Sequence, residues 1–314
     1  MMFVMEHANT EQAAVAPDGA LWQRAGHVAH HALAVGALRP VHTTVTHLRT
    51  GACNFVVHQL DAASASGALA LKLQHSPFSD DRADREYNPF LPYDPALFVA
   101  DLSATHVCLL NKFPVISRHL LIVTRTFVDQ ETVLDQADFA AWWACMGSAG
   151  ALGFYNAGRI AGASQRHKHL QVVPLPLDPG GDAVPIAALL GPPQQHGELG
   201  MAAGLPFRHV LVWLDPAMLL TDAAPCRLLE TYLAMLDACA AWQGDGKPAP
   251  YNLVLTHRWM LLAPRSQDRC QGIGVNGLGY AGSMLVRNTD EFALLRELGP
   301  LELLRCTGIT EDES

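Results

Sequence analysis

The chain has 314 residues, half of them apolar and 16% charged, with a formal net charge of −9. That balance supports one large or two ordinary folded domains and excludes a disordered chain. Without any Lys/Arg run, it also weighs against a nonspecific grip on nucleic acid or an anionic membrane, although cations that converge locally can still bind a small anion.

The first residues, MMFVMEHANTEQAA, lack a basic segment and a long apolar run, so no secretory signal is expected. No apolar stretch approaches the roughly 18 residues that span a bilayer. The seven cysteines are scattered and form no C-x-x-C pair. They are expected to be reduced thiols in a cytoplasmic protein, with no structural zinc.

Apolar residues recur at helical spacing over 17–38, which predicts an amphipathic helix. The runs HVCLL (106–110) and HLLIVT (119–124) flank NKFPVISR, where Pro114 punctuates, and predict paired strands. A helix is expected over 135–152, with Asp135 as its cap and Phe139, Trp142, Trp143 and Met146 as its apolar stripe. LQVVP then reads as a strand that stops at Pro174.

The Gly- and Pro-rich span 178–206 predicts a long surface connection or lid between a catalytic region, 1–177, and a C-terminal region, 207–314. Beyond it, 209–214 predicts a strand, 226–242 a helix, 251–265 two strands around a tight connection, and 289–298 a closing helix. The irregular mixture favours α+β, with a largely antiparallel sheet, over a doubly wound fold.

One stretch concentrates chemistry: GASQRHKHLQVVP, residues 162–174. With 15 histidines in 314 residues, an H-x-H pair arises by chance roughly once per chain, so the pair alone says little. A strand, however, turns alternate side chains to one face, which gathers His167, His169 and Gln171 and sends Lys168 and Leu170 to the other. Upstream, NAGRIAGAS supplies Gly158 and Gly162, which let backbone N–H groups approach an anion, and the Ser164 hydroxyl. A neutral imidazole can attack phosphorus through one nitrogen while a hydrogen bond holds the other. Together these are the requirements of a covalent phosphoryl or nucleotidyl transferase.

The pattern N-x-G-x(3)-G-x-S-x(2)-H-x-H-x-Q, running from Asn156 to Gln171, resembles the transferase branch of the histidine-triad superfamily. The blocks NPFLPYDPALFVADLSATHVCLLNKFPVISRHLLIVTR and YNLVLTHRWMLLAPRS, with GIGVNGLGYAGSMLVRN, are similar to the ATP adenylyltransferase (diadenosine tetraphosphate phosphorylase) family. The likeness runs from about 51 to 304. It implies a fold like that of histidine-triad proteins and galactose-1-phosphate uridylyltransferase, with a mostly antiparallel sheet and flanking helices.

The implied activity is reversible phosphorolysis of diadenosine tetraphosphate to ATP and ADP through an adenylylated histidine. The resemblance makes His169 the nucleophile. It gives Gln171 the task of holding the nucleotidylated intermediate, and Ser164, Gly162, Ala163, Gln165 and Asn156 a place around the phosphate. The implied partners are small nucleotides and phosphate, bound by a monomer or homodimer. Mg2+ is expected as a divalent cation on the polyphosphate, with no protein-built metal site. Arg166 departs from the family, where proline is expected.

The remaining candidates read two ways. Asn111 and Lys112 could reach phosphate or ribose, or form an ordinary polar turn. Arg258 and Arg265, with Lys112, are the best candidates for neutralising a polyphosphate, although each taken singly reads as a surface arginine. His119 reads as structural or at the substrate's edge, and His167 as positioning the loop. GIGVNG, 272–277, matches a dinucleotide fingerprint without its preceding strand and following helix. His27 and His31 lack the acidic partner of a metal site. A hexose-1-phosphate uridylyltransferase and a noncatalytic sensor of dinucleoside polyphosphates are the alternatives.

Overall fold

In the computed structural model, whose described residues are 19–61, 88–147, 150–193, 195–239, 242 and 247–310, apolar alternation along the strands builds a nine-stranded sheet. Its early strands are β3 (Phe98–Asp101), β4 (His106–Leu110) and β5 (Leu120–Thr124). They are followed by β6 (Ala151–Asn156), β7 (His169–Pro174), β8 (Leu199–Gly200), β9 (Val210–Trp213), β10 (Tyr251–Leu255) and β11 (Trp259–Pro264). The order is β3-β4-β5-β7-β6-β10-β11-β9-β8, antiparallel at every pairing.

Alternation gives this sheet two apolar faces. On one, Ile122, Leu170, Val172, Tyr155 and Leu253 pack against the helices α1 (Ala20–Ala34), α2 (Gln136–Met146) and, after the short α3 (Pro216–Leu219), α4 (Ala224–Ala238). On the other, Leu152, Phe154, Val173, Val254 and Leu261 meet a second layer. That layer is a three-stranded sheet, β1 (Thr43–Thr50), β2 (Cys53–Leu60) and β14 (Ser283–Val286), with α6 (Thr289–Leu298) and α7 (Pro300–Thr307). The fold is therefore α+β, as expected. Among the described residues no helix is long and apolar enough to cross a membrane.

Asp135 does cap α2: its carboxylate accepts from the Ala137 and Asp138 N–H groups, while Asp138 returns a bond from the Asp135 N–H. The helix stops at Met146, short of the expected 152, because Gly147 and Gly150 take positive φ. Ala151–Asn156 is instead the strand β6. It crosses under Trp142 at Gly153, where a Cβ would stand 2.6 Å from the indole nitrogen.

Of the span 178–206, the described residues 191–193 and 195–199 are exposed, while other parts are packed into the second core. Val184, Ile186, Leu190, Ala202 and Leu205 are buried there, and each large aliphatic side chain among them contributes about 1.5–3 kcal/mol. The nine-stranded sheet runs continuously across it, β6 from before the span pairing β10 from after it.

The expectation that all cysteines are reduced is corrected by a disulfide from Cys270 to Cys306, 36 residues apart in sequence with Cα atoms at 6.0 Å. It ties the two-residue strand β12 (Arg269–Cys270), which pairs with β13 (Ile273–Gly274), to α7. Folding brings together two cysteines that no short motif links. The segment 272–277 makes this hairpin and then opens the single turn α5 (Gly277–Tyr280), so the dinucleotide reading does not apply.

Candidate active site

The strand β7 delivers the predicted face. His169 pairs with Val123 and Gln171 with Leu121, on the side of the sheet where Phe90, Val107, Leu109, Leu121 and Val123 form a third apolar cluster. His167 lies just before β7 in a bridge with Asp129. All three motif side chains are buried, His169 to 3% exposure and Gln171 to 8%.

The His169 Nδ1 lies 2.9 Å from the His167 carbonyl oxygen. A carbonyl only accepts, so Nδ1 carries the proton and the lone pair resides on Nε2. The backbone of His169 is held by Gln130, a residue the sequence did not point to. Its Oε1 accepts the His169 N–H at 2.8 Å, and its Nε2 donates to the Asn156 carbonyl at 2.9 Å and the His169 carbonyl at 3.2 Å. Its own carbonyl accepts the Tyr155 hydroxyl.

The His167 Nε2 donates to the Thr124 carbonyl at 2.8 Å, so its Nδ1 accepts from Asn88, 3.0 Å away. Burial pushes His167 below the ordinary histidine pKa, against an opposing effect from its backbone hydrogen bonds. The rings of Phe90 and Phe127 lie edge-on to it, each with centroids at 5.6 Å. The ring of His167 is thus fixed between Asn88 and Thr124.

The turn from Asn156 to Gln165 is anchored from the C-terminal half. Asn252 donates to the Asn156 Oδ1 at 2.9 Å and to the Ala161 carbonyl at 2.8 Å, and the Gly277 N–H donates to the same Asn156 oxygen at 2.8 Å. Gly162, with φ +88°, lets the two halves approach: a Cβ there would stand 2.6 Å from the Val275 carbonyl.

Two expectations about this turn change. The N–H groups of Gly162 and Ala163 donate to the carbonyls of Arg159 and Gly158 at 2.8 and 3.1 Å, so turn closure consumes them. Ser164 and Gln165 follow half-buried, and among the described residues no acceptor takes either N–H. The N–H groups that turn closure leaves available among the described residues are thus those of Ser164 and Gln165.

The cations also fall differently. The Arg265 guanidinium is buried and directed inward, donating to Thr307, Val275, Gln267 and Ala161 carbonyls and, at 2.5 Å, to Asn252 Oδ1. Its recorded donors all go to protein oxygens, and they brace the turn from below. Arg258 sits on the connection from β10 to β11, beyond the Leu255–Gly153 pairing and away from the His169 end of the sheet, with its guanidinium 5.9 Å from the Trp213 ring centre. Lys112 lies half-buried on the turn joining β4 to β5, and its carbonyl accepts the Arg39 N–H. Arg166 is an exposed partner of Asp129 at 3.1 Å, and its carbonyl accepts the Gln130 N–H.

Asn111 is engaged with protein. Its Oδ1 accepts the Phe113 N–H at 3.1 Å, and its Nδ2 lies 3.1 Å from His119 Nδ1, whose Nε2 is 3.0 Å from Gln171 Oε1. On the opposite face of β7, Lys168 and His106 flank a buried Asp138 at 2.8 and 3.0 Å. Burial alone would raise that carboxyl. The bonds from His106, Lys168 and the Asp135 N–H, with the lysine charge, bring it below its ordinary value.

Comparison with known proteins agrees with this architecture. Residues 11–192 match the family model described as the Ap4A phosphorylase N-terminal domain, and 203–310 match the ATP adenylyltransferase C-terminal domain. The two models divide the chain inside the span 178–206. Diadenosine 5',5'''-P1,P4-tetraphosphate phosphorylase 2 of Saccharomyces cerevisiae is 29% identical over 272 residues, covering 76% of this chain and 81% of that protein. The crystal structure of yeast Ap4A phosphorylase Apa2 superposes with a TM-score of 0.70 at 26% identity, covering 94% of this chain and 96% of that one. The same protein in complex with AMP gives a TM-score of 0.76 at 24% identity, covering 94% and 99%.

Proposed function

This chain is a nucleotidyltransferase of the Ap4A phosphorylase family, and we propose that it splits diadenosine tetraphosphate with inorganic phosphate through an adenylyl-His169 intermediate. The observation that carries the reading is the tautomer of His169. With Nδ1 committed to the His167 carbonyl, Nε2 presents its lone pair from a buried, fixed ring.

In the first displacement, Nε2 attacks the α-phosphorus of one adenosine, the bond to the bridging oxygen breaks, and ATP leaves. The imidazole becomes cationic as it is adenylylated, and the His167 carbonyl at Nδ1 stabilises that charge. In the second, a phosphate oxygen attacks the same phosphorus, releases ADP and restores neutral His169. The reverse sequence makes the dinucleotide from ATP and ADP.

Charge developing on the nonbridging oxygens is met by donors fixed before the reaction, which is the economical way to stabilise it. Those are the Gln171 carboxamide, the Ser164 hydroxyl and the Ser164 and Gln165 N–H groups. Glutamine donates without supplying a proton to water chemistry, which fits transfer to phosphate. Among the described residues no three His, Cys, Asp or Glu side chains could cage a metal ion. Mg2+ carried on the polyphosphate would neutralise part of its charge, and no step here runs through it.

The test is product analysis. The protein incubated with diadenosine tetraphosphate and phosphate should give ATP and ADP in equal amounts, and little product when phosphate is omitted. Equal ATP and AMP, formed without phosphate, would overturn the reading.

A further inference from the structure

We propose that His119 and Asn111 are positioning residues that fix which end of the Gln171 carboxamide meets the substrate. The basis is a chain of hydrogen bonds whose direction cannot be reversed without breaking a bond. It begins at the Phe113 backbone N–H, which can only donate, so the Asn111 atom facing it is Oδ1, at 3.1 Å. The other branch of that amide is then Nδ2, which donates to His119 Nδ1 at 3.1 Å. An imidazole that accepts at Nδ1 carries its proton at Nε2, and that proton is donated to Gln171 Oε1 at 3.0 Å. With Oε1 taken, the Nε2 amide group occupies the other branch of the Gln171 side chain, on the face it shares with His169.

The consequence is chemical. An amide turned the other way would direct its carbonyl oxygen at an anionic phosphoryl oxygen and repel it. Glutamine has a near-symmetric, freely turning end, so its usefulness as a donor depends on something that distinguishes its two faces. Here that reference is a backbone N–H at the β4–β5 turn, relayed through two side chains. His119 sits at the start of β5, two residues before Leu121, which pairs with Gln171, so the strand register alone brings the ring to the amide.

This inference rests on the proposed role of Gln171 and predicts a coupled effect. Gln171→Ala should lower kcat about 100-fold, the scale for losing one oriented transition-state donor, with KM changed little. His119→Ala should lower kcat about 10-fold, also with little change in KM, because the amide is then free to turn. His119→Gln, which restores an N–H donor, should recover part of that loss. Asn111→Ala, on a half-buried turn outside the strands, should lower kcat several-fold and serves if His119→Ala proves unstable.

The deciding measurement is the double-mutant cycle. In the Gln171→Ala background, His119→Ala should cost less than about 2-fold. If Gln171→Ala is impaired and His119→Ala adds its full effect to it, the relay is wrong while the role of Gln171 stands. If His119→Ala and Asn111→Ala both keep wild-type kcat, the relay is also overturned. If Gln171→Ala itself keeps wild-type kcat, the parent reading of Gln171 fails instead.

Discussion

Replacing Gln130 by Met tests whether the nucleophile is held from behind. The side chain is 1% exposed, and methionine nearly conserves its length and volume, so cavity effects are small. What disappears is one acceptor for the His169 N–H, at 2.8 Å, and one amide shared between the carbonyls of Asn156 and His169, at 2.9 and 3.2 Å. The Asn156 carbonyl retains a bond from the Gly158 N–H at 3.0 Å, so the orphaned N–H dominates. A buried unsatisfied donor costs about 1–3 kcal/mol, and with the lost amide bonds the total is about 2–4 kcal/mol. In a chain of this size that lowers the melting temperature by roughly 3–6 °C. His169 then shifts relative to the turn, and kcat for phosphorolysis should fall about 10- to 100-fold at temperatures where the variant is folded. Chemical denaturation and steady-state kinetics measure both. A stability loss under about 0.5 kcal/mol with unchanged kcat would refute the argument.

Three further outcomes follow from other sites. Lys168→Met leaves Asp138 buried beside His106 without its cation, and should destabilise the fold by about 3–5 kcal/mol, while adding Asp138→Asn should restore part of the loss; equal stability of single and double variants would contradict this. Reducing the Cys270–Cys306 bond, or replacing both cysteines by Ser, should lower stability by at most about 4 kcal/mol for the 36-residue separation, read as a reductant-dependent melting shift. Burial holds both His58 and His167 below their ordinary pKa of 6.5, so the fold favours their neutral forms. The unfolded chain takes up those protons first, so stability should fall as pH drops below 6.5 and through the lower folded-state values. A denaturation midpoint that is unchanged or higher at pH 5.5 than at pH 8 would contradict the assignment.

The sequence exposed whatever depends on local period and local caps. H-x-H-x-Q on a strand predicts its own shared face, and Asp135 announces the start of α2. The helix expected over 289–298 is found with those bounds, but α7 follows it, so it does not close the chain. Tertiary partnerships were hidden. Gln130 lies in FVDQET, which has no periodicity, and its importance comes from meeting a backbone 39 residues away. Arg265 reads from sequence as either a polyphosphate candidate or a surface arginine because a lone arginine does not reveal burial; only the folded chain shows five protein oxygens around it. The helix expected over 135–152 runs two residues into β6 because ALGFY offers no polar residue to mark the change, and a uniformly buried central strand carries no alternation. Arg166 departs from the expected proline, and the structure gives it a partner: it bridges to Asp129 across the lip of the site, an exposed pair of small energetic weight.

The most direct test of the account is to trap the covalent intermediate. Wild-type protein incubated with diadenosine tetraphosphate in the absence of phosphate, then digested and examined by mass spectrometry, should carry one adenylyl group on the peptide at His169. Added phosphate should discharge it as ADP, and His169→Ala should neither acquire the label nor turn over. An unlabelled wild-type protein that still converts the dinucleotide with phosphate, or a His169→Ala variant with near-normal activity, would contradict the mechanism.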